Sequence, residues 1–405
     1  MKITAFKIVQ ITVVLLCITV SYSNSQPVYT AVVRKKYWSI GVFYQLGTVL
    51  PTNKFVRGTN AAVDAIDDFQ AFSAQLAYQT NGKHVWEQRY HFPRWGGGVY
   101  IADFFNRKEL GYPIALYGFF IGPFRRWEKS SFNYSLSFGF TFNWEPFNAK
   151  DNQYNIAIGA GETAYIDLGM NYEYNFTETL SGDLGFSVTH FSNGALKKPN
   201  FGLNVLAPRL RLRYNLQEDT PTFDKSAFPE YRARFEYDFS AFAGTKQVFI
   251  DTSNVDLKKK YSGVYFPIVG FSAVANYHVS YKSKLGVGAT LAYNGTLNAQ
   301  LDVQDGELDD IDVPFVSHLA MSVYPSYELV VHRVSLMLQP GFYILRKKIP
   351  DVNSWVYYRI GIKYHMWENF FIGINLRANS LKESDFIEWS VGYRLLRNKK
   401  IRSKE

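Results

Sequence analysis

Hydrophobic and polar residues alternate along most of this chain with a period of two. Between Ser131 and Asn143, the residues Phe132, Tyr134, Leu136, Phe138, Phe140 and Phe142 are separated one by one by Ser, Asn, Gly and Thr. Between Lys284 and Tyr293, Leu285, Val287, Ala289 and Leu291 alternate with Gly286, Gly288 and Thr290. From Asp385 to Leu395, Ile387, Trp389, Val391, Tyr393 and Leu395 share one face, and Glu388, Ser390, Gly392 and Arg394 share the other. Successive side chains of a strand point to opposite sides, so these runs predict strands with one large apolar face and one small or polar face. The runs end at polar or Gly- and Asn-containing breaks, and no segment of convincing length has the helical period.

The breaks place strands near 37–48, 69–80, 97–105, 112–123, 131–144, 163–176, 181–192 and 202–215 in the first half. In the second half they fall near 231–243, 264–280, 284–295, 315–328, 332–345, 354–365, 369–378 and 385–395. Most long connections (49–68, 145–162, 244–263, 296–314) follow odd-numbered strands, and several short ones (177–180, 281–283, 329–331, 366–368) follow even-numbered strands. An even strand number, short turns at one end, long loops at the other and aromatic-rich apolar faces predict an all-β protein. The expected fold is a transmembrane antiparallel β-barrel of the outer membrane with about 14–16 strands. A single barrel over 26–395 is expected, and residues 217–230 break the rule as a long polar link where a short turn belongs.

Composition narrows the class. The chain has 405 residues, 47% hydrophobic and 17% aromatic, yet its mean hydropathy is slightly negative at −0.16. Apolar residues are diluted rather than gathered into the runs of about 20 that membrane helices need. The aromatic content and a charged fraction of only 20% exclude disorder. The one long apolar run, Ile8–Val20, lies behind Lys2 and Lys7 and ahead of Ser21, Ser23 and Ser25, and so reads as a signal peptide over 1–25. Cys17, the only cysteine, falls inside it, which excludes disulfide, zinc–cysteine and cysteine-nucleophile chemistry from the exported part. The formal net charge is +9, and residues 396–405 form a basic tail. For an exported chain the matching partner is an anionic lipid surface and no nucleic acid.

One segment breaks the alternation in an informative way. In Val188-Thr189-His190-Phe191-Ser192-Asn193-Gly194-Ala195, His190 and Ser192 share a face with Val188 and Phe186, which is the lipid side. Polar groups there are costly unless paired or functional. A hairpin centred near Lys197 sets His190 opposite Asn204 and Ser192 opposite Gly202, and Asn204 lies on the face of Leu206, Leu210 and Leu212. A hydroxyl, a base beside it and an orienting group behind the base follow the logic of acyl transfer. Asn193 and the amides of Gly194 and Ala195 are candidates for stabilising an oxyanion.

His-x-Ser-Asn at 190–193, followed by Pro-Asn-x-Gly at 199–202, resembles the lipid A 3-O-deacylases, outer-membrane acyloxyacyl hydrolases. The resemblance is strongest over 150–216, and the closing run Leu381–Leu395 is similar to the longer versions found in the Bacteroidetes. It implies an esterase that removes an ester-linked acyl chain from lipid A with a Ser-His-Glu triad on the membrane-facing wall. Ser192 then matches the nucleophile, His190 the base, and Asn193, Gly194 and Ala195 the oxyanion region, while the family's Glu falls at Asn204. Asn can orient an imidazole but cannot stabilise imidazolium by charge. The implied partner is lipid A or lipopolysaccharide of the outer leaflet, whose phosphates Lys197 and Lys198 could meet. No metal or organic cofactor is implied. The chain is about twice the length of the small deacylases, and a non-catalytic barrel, pore or structural, with a degenerate motif is the alternative.

Elsewhere plainer readings suffice. His84, His91, His332 and His365 fall near turns, and His278 and His318 lack ligands at metal spacing. Asp302–Asp312 reads as a solvated outer loop. Arg209, Arg211 and Arg213 read as lumen residues, as does Glu388.

Overall fold

Strand alternation decides which groups are hidden. In the strand Ser130–Trp144, Ser131, Asn133, Ser135 and Ser137 are buried, while Phe132 and Phe142 are exposed. The same inversion recurs elsewhere: Gln45, Asp167, Glu236 and Asn276 are buried, and Leu184, Leu210, Phe271 and Val287 are exposed. A soluble sandwich would do the reverse. Apolar residues outside and polar residues within is the arrangement of a membrane barrel.

The computed structural model describes residues 36–219, 221–225, 231, 233–248, 254–306, 313–349, 354–380 and 383–397. The expected signal peptide and most of the basic tail lie outside the described residues. The first eight strands are β1 (Tyr37–Val49), β2 (Asp68–Gln79), β3 (Arg94–Asp103), β4 (Gly111–Arg126), β5 (Ser130–Trp144), β6 (Thr163–Asn175), β7 (Leu180–Ser192) and β8 (Leu203–Asn215). The second eight are β9 (Phe235–Lys246), β10 (Phe266–His278), β11 (Ser283–Asn294), β12 (Leu319–Val331), β13 (Val334–Leu345), β14 (Val356–His365), β15 (Phe370–Ser380) and β16 (Glu383–Arg397).

The strands are antiparallel throughout, but they close as two rings of eight where one ring was expected. β8 returns to β1, from Ser39 against Asn215 to Val49 against Val205. β16 returns to β9, from Arg397 against Phe235 to Trp389 against Ala243. Residues 217–234 are long because they leave one finished ring and begin another. Their described ends hold to different barrels: Asp224 donates its backbone N–H to Asn81 O (2.8 Å) and Phe223 stacks on Phe92 of the first, while the Tyr231 hydroxyl donates to His278 O of the second.

An eight-stranded ring is narrow enough for its own side chains to fill. In the first barrel Arg209 pairs with Asp167 (3.1 Å), Arg211 with Asp183 (3.2 Å), and Arg94 and Arg213 with Glu173. A cavity between Arg94, Arg211 and Arg213 measures about 10 Å³, room for about one water. In the second, Lys284 and Lys363 sit among Glu236, Asp238 and Glu328, and Glu388 binds Arg359 (3.1 Å) and Arg377 (2.6 Å). The three carboxylates in the first of these groups approach within 4.8 Å of one another, and Lys284, Lys363 and Arg394, which lies 3.7 Å from Glu236, counter their charge.

Two outcomes follow from this packing. Glu173→Ala strands two buried guanidinium groups and is predicted to destabilise the first barrel by about 3–5 kcal/mol. Urea unfolding in detergent micelles measures this, with Leu210→Ala on the lipid face as a near-neutral control. In planar bilayers the filled lumens should give no sustained porin-like conductance.

Candidate active site on the outer wall

Phe191 sets the parity of the strand end that carries the candidate residues. Its ring is buried inside the first barrel against Trp144 (5.4 Å between centroids), Tyr165 (5.8 Å) and Phe104 (5.9 Å). With Phe191 pinned inward, His190 and Ser192 must point outward. They lie at the long-loop end of β7, beside Ile166 and Ala164 of β6, and His190 stands directly opposite Asn204 of β8.

The chain then turns sharply. Gly194 and Ala195 both have positive φ (62° and 67°), a region disfavoured for a residue with a Cβ, so Ala195 marks local strain. The turn is held by Asn193, whose side-chain amide donates to Lys197 O (2.8 Å). On the return strand Gly202, also at positive φ (72°), leaves room for the imidazole. A Cβ there would lie 2.9 Å from His190 Cε1 and 2.9 Å from Phe191 O. Gly202 is fixed from behind by Asn53 Nδ2 on its carbonyl (3.0 Å) and by its own N–H on Ala157 O (2.9 Å).

Two hydrogen-bonded groups meet at this spot. His190 Nδ1 and Asn204 Oδ1 are 2.7 Å apart, and Asn204 Nδ2 donates to Thr52 Oγ1 at 3.2 Å. With its NH₂ on Thr52, the amide turns its oxygen to the imidazole, so Nδ1 carries the proton and Nε2 is the free base. Ser192 Oγ accepts from Asn200 Nδ2 (2.7 Å) and from the Gly194 N–H (3.1 Å). Asn200 is in turn oriented by the Asn193 N–H, which donates to its Oδ1 at 3.2 Å. Among the described hydrogen bonds none joins His190 to Ser192; the serine oxygen is held by Asn200 and the Gly194 amide.

The structure thus brings together His190, Asn204, Ser192 and Gly194. Asn193 acts through Asn200, and Ala195 is buried in the turn. Lys197 is exposed at the loop tip, and the Lys198 N–H donates to Gln247 Oε1 (3.2 Å) of the second barrel. Two participants went unassigned in the sequence. Asn200 stands in the Pro-Asn-x-Gly motif but had no role, and Thr52 is 152 residues from Asn204 with no local signal. Glu388 lies inside the second lumen. His278 binds Glu236, and His318 binds Asn294 O (2.9 Å). Asp302 departs from the expected solvated loop: it is buried in the helix Leu297–Asp305 and accepts from the Tyr261 hydroxyl, while residues 307–312 lie outside the described residues.

Comparison with known proteins divides the chain at the same place as the hydrogen bonding. Residues 72–213 match the family model of lipid A 3-O-deacylase (PagL), and residues 235–399 match that of the acyloxyacyl hydrolase C-terminal domain. No curated protein matches the chain in sequence. Among solved structures, the outer membrane enzyme PagL is 12% identical, covering 42% of this chain and 97% of its own, with a TM-score of 0.28. Pseudomonas aeruginosa OccK5 is 9% identical over 89% of this chain and 97% of its own (TM-score 0.21). The Pseudomonas putida toluene transporter TodX is 9% identical over 90% and 91% (TM-score 0.18). These overlaps are too slight to bear on the chemistry. With one family model on each barrel, the chain belongs to the lipid A 3-O-deacylase and acyloxyacyl hydrolase family of outer-membrane barrels.

Proposed function

We propose that this protein is an outer-membrane serine esterase that removes an ester-linked acyl chain from lipid A. The observation that carries the reading is the paired set His190–Asn204 and Ser192–Asn200–Gly194 on the lipid side of the wall, at the loop end of β7. Polar groups there have no structural task comparable to those of the lumen. The family match supports the substrate class.

In the proposed reaction His190 Nε2 takes the Ser192 proton as the oxygen attacks the ester carbonyl carbon. The resulting oxyanion replaces the serine oxygen as acceptor for Asn200 Nδ2 and the Gly194 N–H, which already converge there. Imidazolium returns the proton to the departing sugar oxygen, leaving an acyl group on Ser192. Water, deprotonated by His190, then attacks the acyl-enzyme, and the fatty acid leaves as Ser192 recovers its proton. Asn204 holds the tautomer this needs. It supplies no charge to the imidazolium, so the site works below the capacity of one with a carboxylate. Lys197 and Lys198 would meet the phosphates of lipid A.

A passive barrel with a decayed motif is the competing reading, and the Asn at 204 is what favours it. Mass spectrometry of lipid A from a host expressing the protein separates the two. The esterase loses Ser192-dependent acyl removal by at least about 10³-fold in Ser192→Ala while the variant still inserts and folds. Lipid A unchanged by the wild-type protein would favour the passive barrel. Asn204→Glu is predicted to raise the turnover by about tenfold, equivalent to about 1.4 kcal/mol of added transition-state stabilisation. A loss in this variant would mean that Asn204 does not occupy the orienting position.

A further inference from the structure

The turn that carries Gly194 does not face open lipid. A Cβ built on Gly194 would lie 2.7 Å from Ile387 Cδ1 and 3.3 Å from Leu376 Cδ1, and both side chains belong to the second barrel. Leu376 of β15 and Ile387 of β16 are cross-strand partners. Their sequence neighbours Arg377, Phe386 and Glu388 fill the lumen, so Leu376 and Ile387 point outward. Farther along the same face of β16, Val391 and Leu395 are 54% and 48% exposed, whereas Ile387 and Leu376 are half-buried.

A second tie holds the same seam, the Lys198 N–H on Gln247 Oε1 (3.2 Å). At the opposite end of the barrels Tyr90 Oη donates to Val330 O (2.8 Å), and Trp86 stacks on His332 (5.6 Å between centroids). The two barrels are therefore joined at both ends. Along β7 beyond Ser192, Val188, Phe186 and Leu184 remain open at 42%, 53% and 64% exposure. A hydrocarbon chain lying on that strand would meet Ser192 next to the turn that Ile387 and Leu376 touch.

We propose that the second barrel forms one wall of the seat for the substrate's acyl chain, with Ile387 and Leu376 as the residues that set which chain reaches Ser192. This rests on the esterase reading above. Both seat and bulk are hydrocarbon here, so selection comes from shape and contact and not from transfer out of water. A bulky aliphatic pair beside the turn limits how a chain can bend toward the serine. Shortening that pair opens the space and shifts the preference toward other chain lengths.

Photo-crosslinking in intact outer membranes tests the placement without relying on turnover. A photoreactive residue at Ile387 of the full-length chain is expected to capture lipid A several-fold more than one at Phe271, which is 71% exposed on β10. Equal capture at the two positions, or capture of phospholipid alone at 387, overturns the proposal. In parallel, Ile387→Ala and Leu376→Ala should change the ratio of removal rates for two acyl chain lengths by about tenfold, in protein that retains its heat-modifiable mobility. An unchanged ratio in both variants, with Ser192→Ala inactive, overturns the seat and leaves the esterase standing. Lipid A captured at 387 but never deacylated by the wild-type protein overturns the esterase and leaves the seat.

Discussion

A strand that crosses hydrocarbon has no water to take up its amide groups, so each edge must find another edge. That constraint is met twice in this chain, β8 returning to β1 and β16 to β9. Closing at eight strands rather than sixteen has a large consequence. A sixteen-stranded ring encloses a channel, whereas eight strands leave an interior that side chains fill. The buried pairs Arg209–Asp167 and Arg211–Asp183, and the Lys284–Lys363 group with its three carboxylates, are that filling. A chemistry that needs substrate access has to be on the outside of such a barrel.

The outer wall exacts its own conditions. A polar group beside hydrocarbon is tolerated when its bonds are made nearby, and here they are: His190 to Asn204, Asn204 to Thr52, Ser192 to Asn200, and Asn200 to the Asn193 amide. The amide at 204 fits this setting in one respect. It satisfies the imidazole without placing an ionised carboxylate against lipid, where desolvation is expensive. What it gives up is the charge that would steady an imidazolium. In the proposed reaction the exchange is one of resting-state solvation against transition-state electrostatics.

Much of this was legible in the sequence because alternation is a local property. Phe132 to Phe142 locate β5, and Ile387 to Leu395 locate β16, to within a few residues of their observed ends. The opposition of His190 and Asn204 across a hairpin is equally local. Ring closure is not, because a strand's pattern names its faces and says nothing of its partners. The only trace was the long link 217–230, which looked like a violation of barrel rules. Asn200 gained its task from a turn whose geometry depends on Gly194 and Ala195, and Thr52 from a loop a whole ring away in sequence. Ile387 reaches Gly194 across two separate sheets, a contact that no periodicity encodes.

The claim most in need of a direct check is that Ser192 is a nucleophile activated on the membrane side of the wall. Labelling with a lipid-soluble fluorophosphonate, followed by peptide mass spectrometry, addresses it without assuming which acyl chain is the substrate. The account predicts one covalent adduct, on Ser192, that is lost in His190→Ala and suppressed by added lipid A. An adduct that persists undiminished in His190→Ala, or no adduct on Ser192 at all, would contradict it.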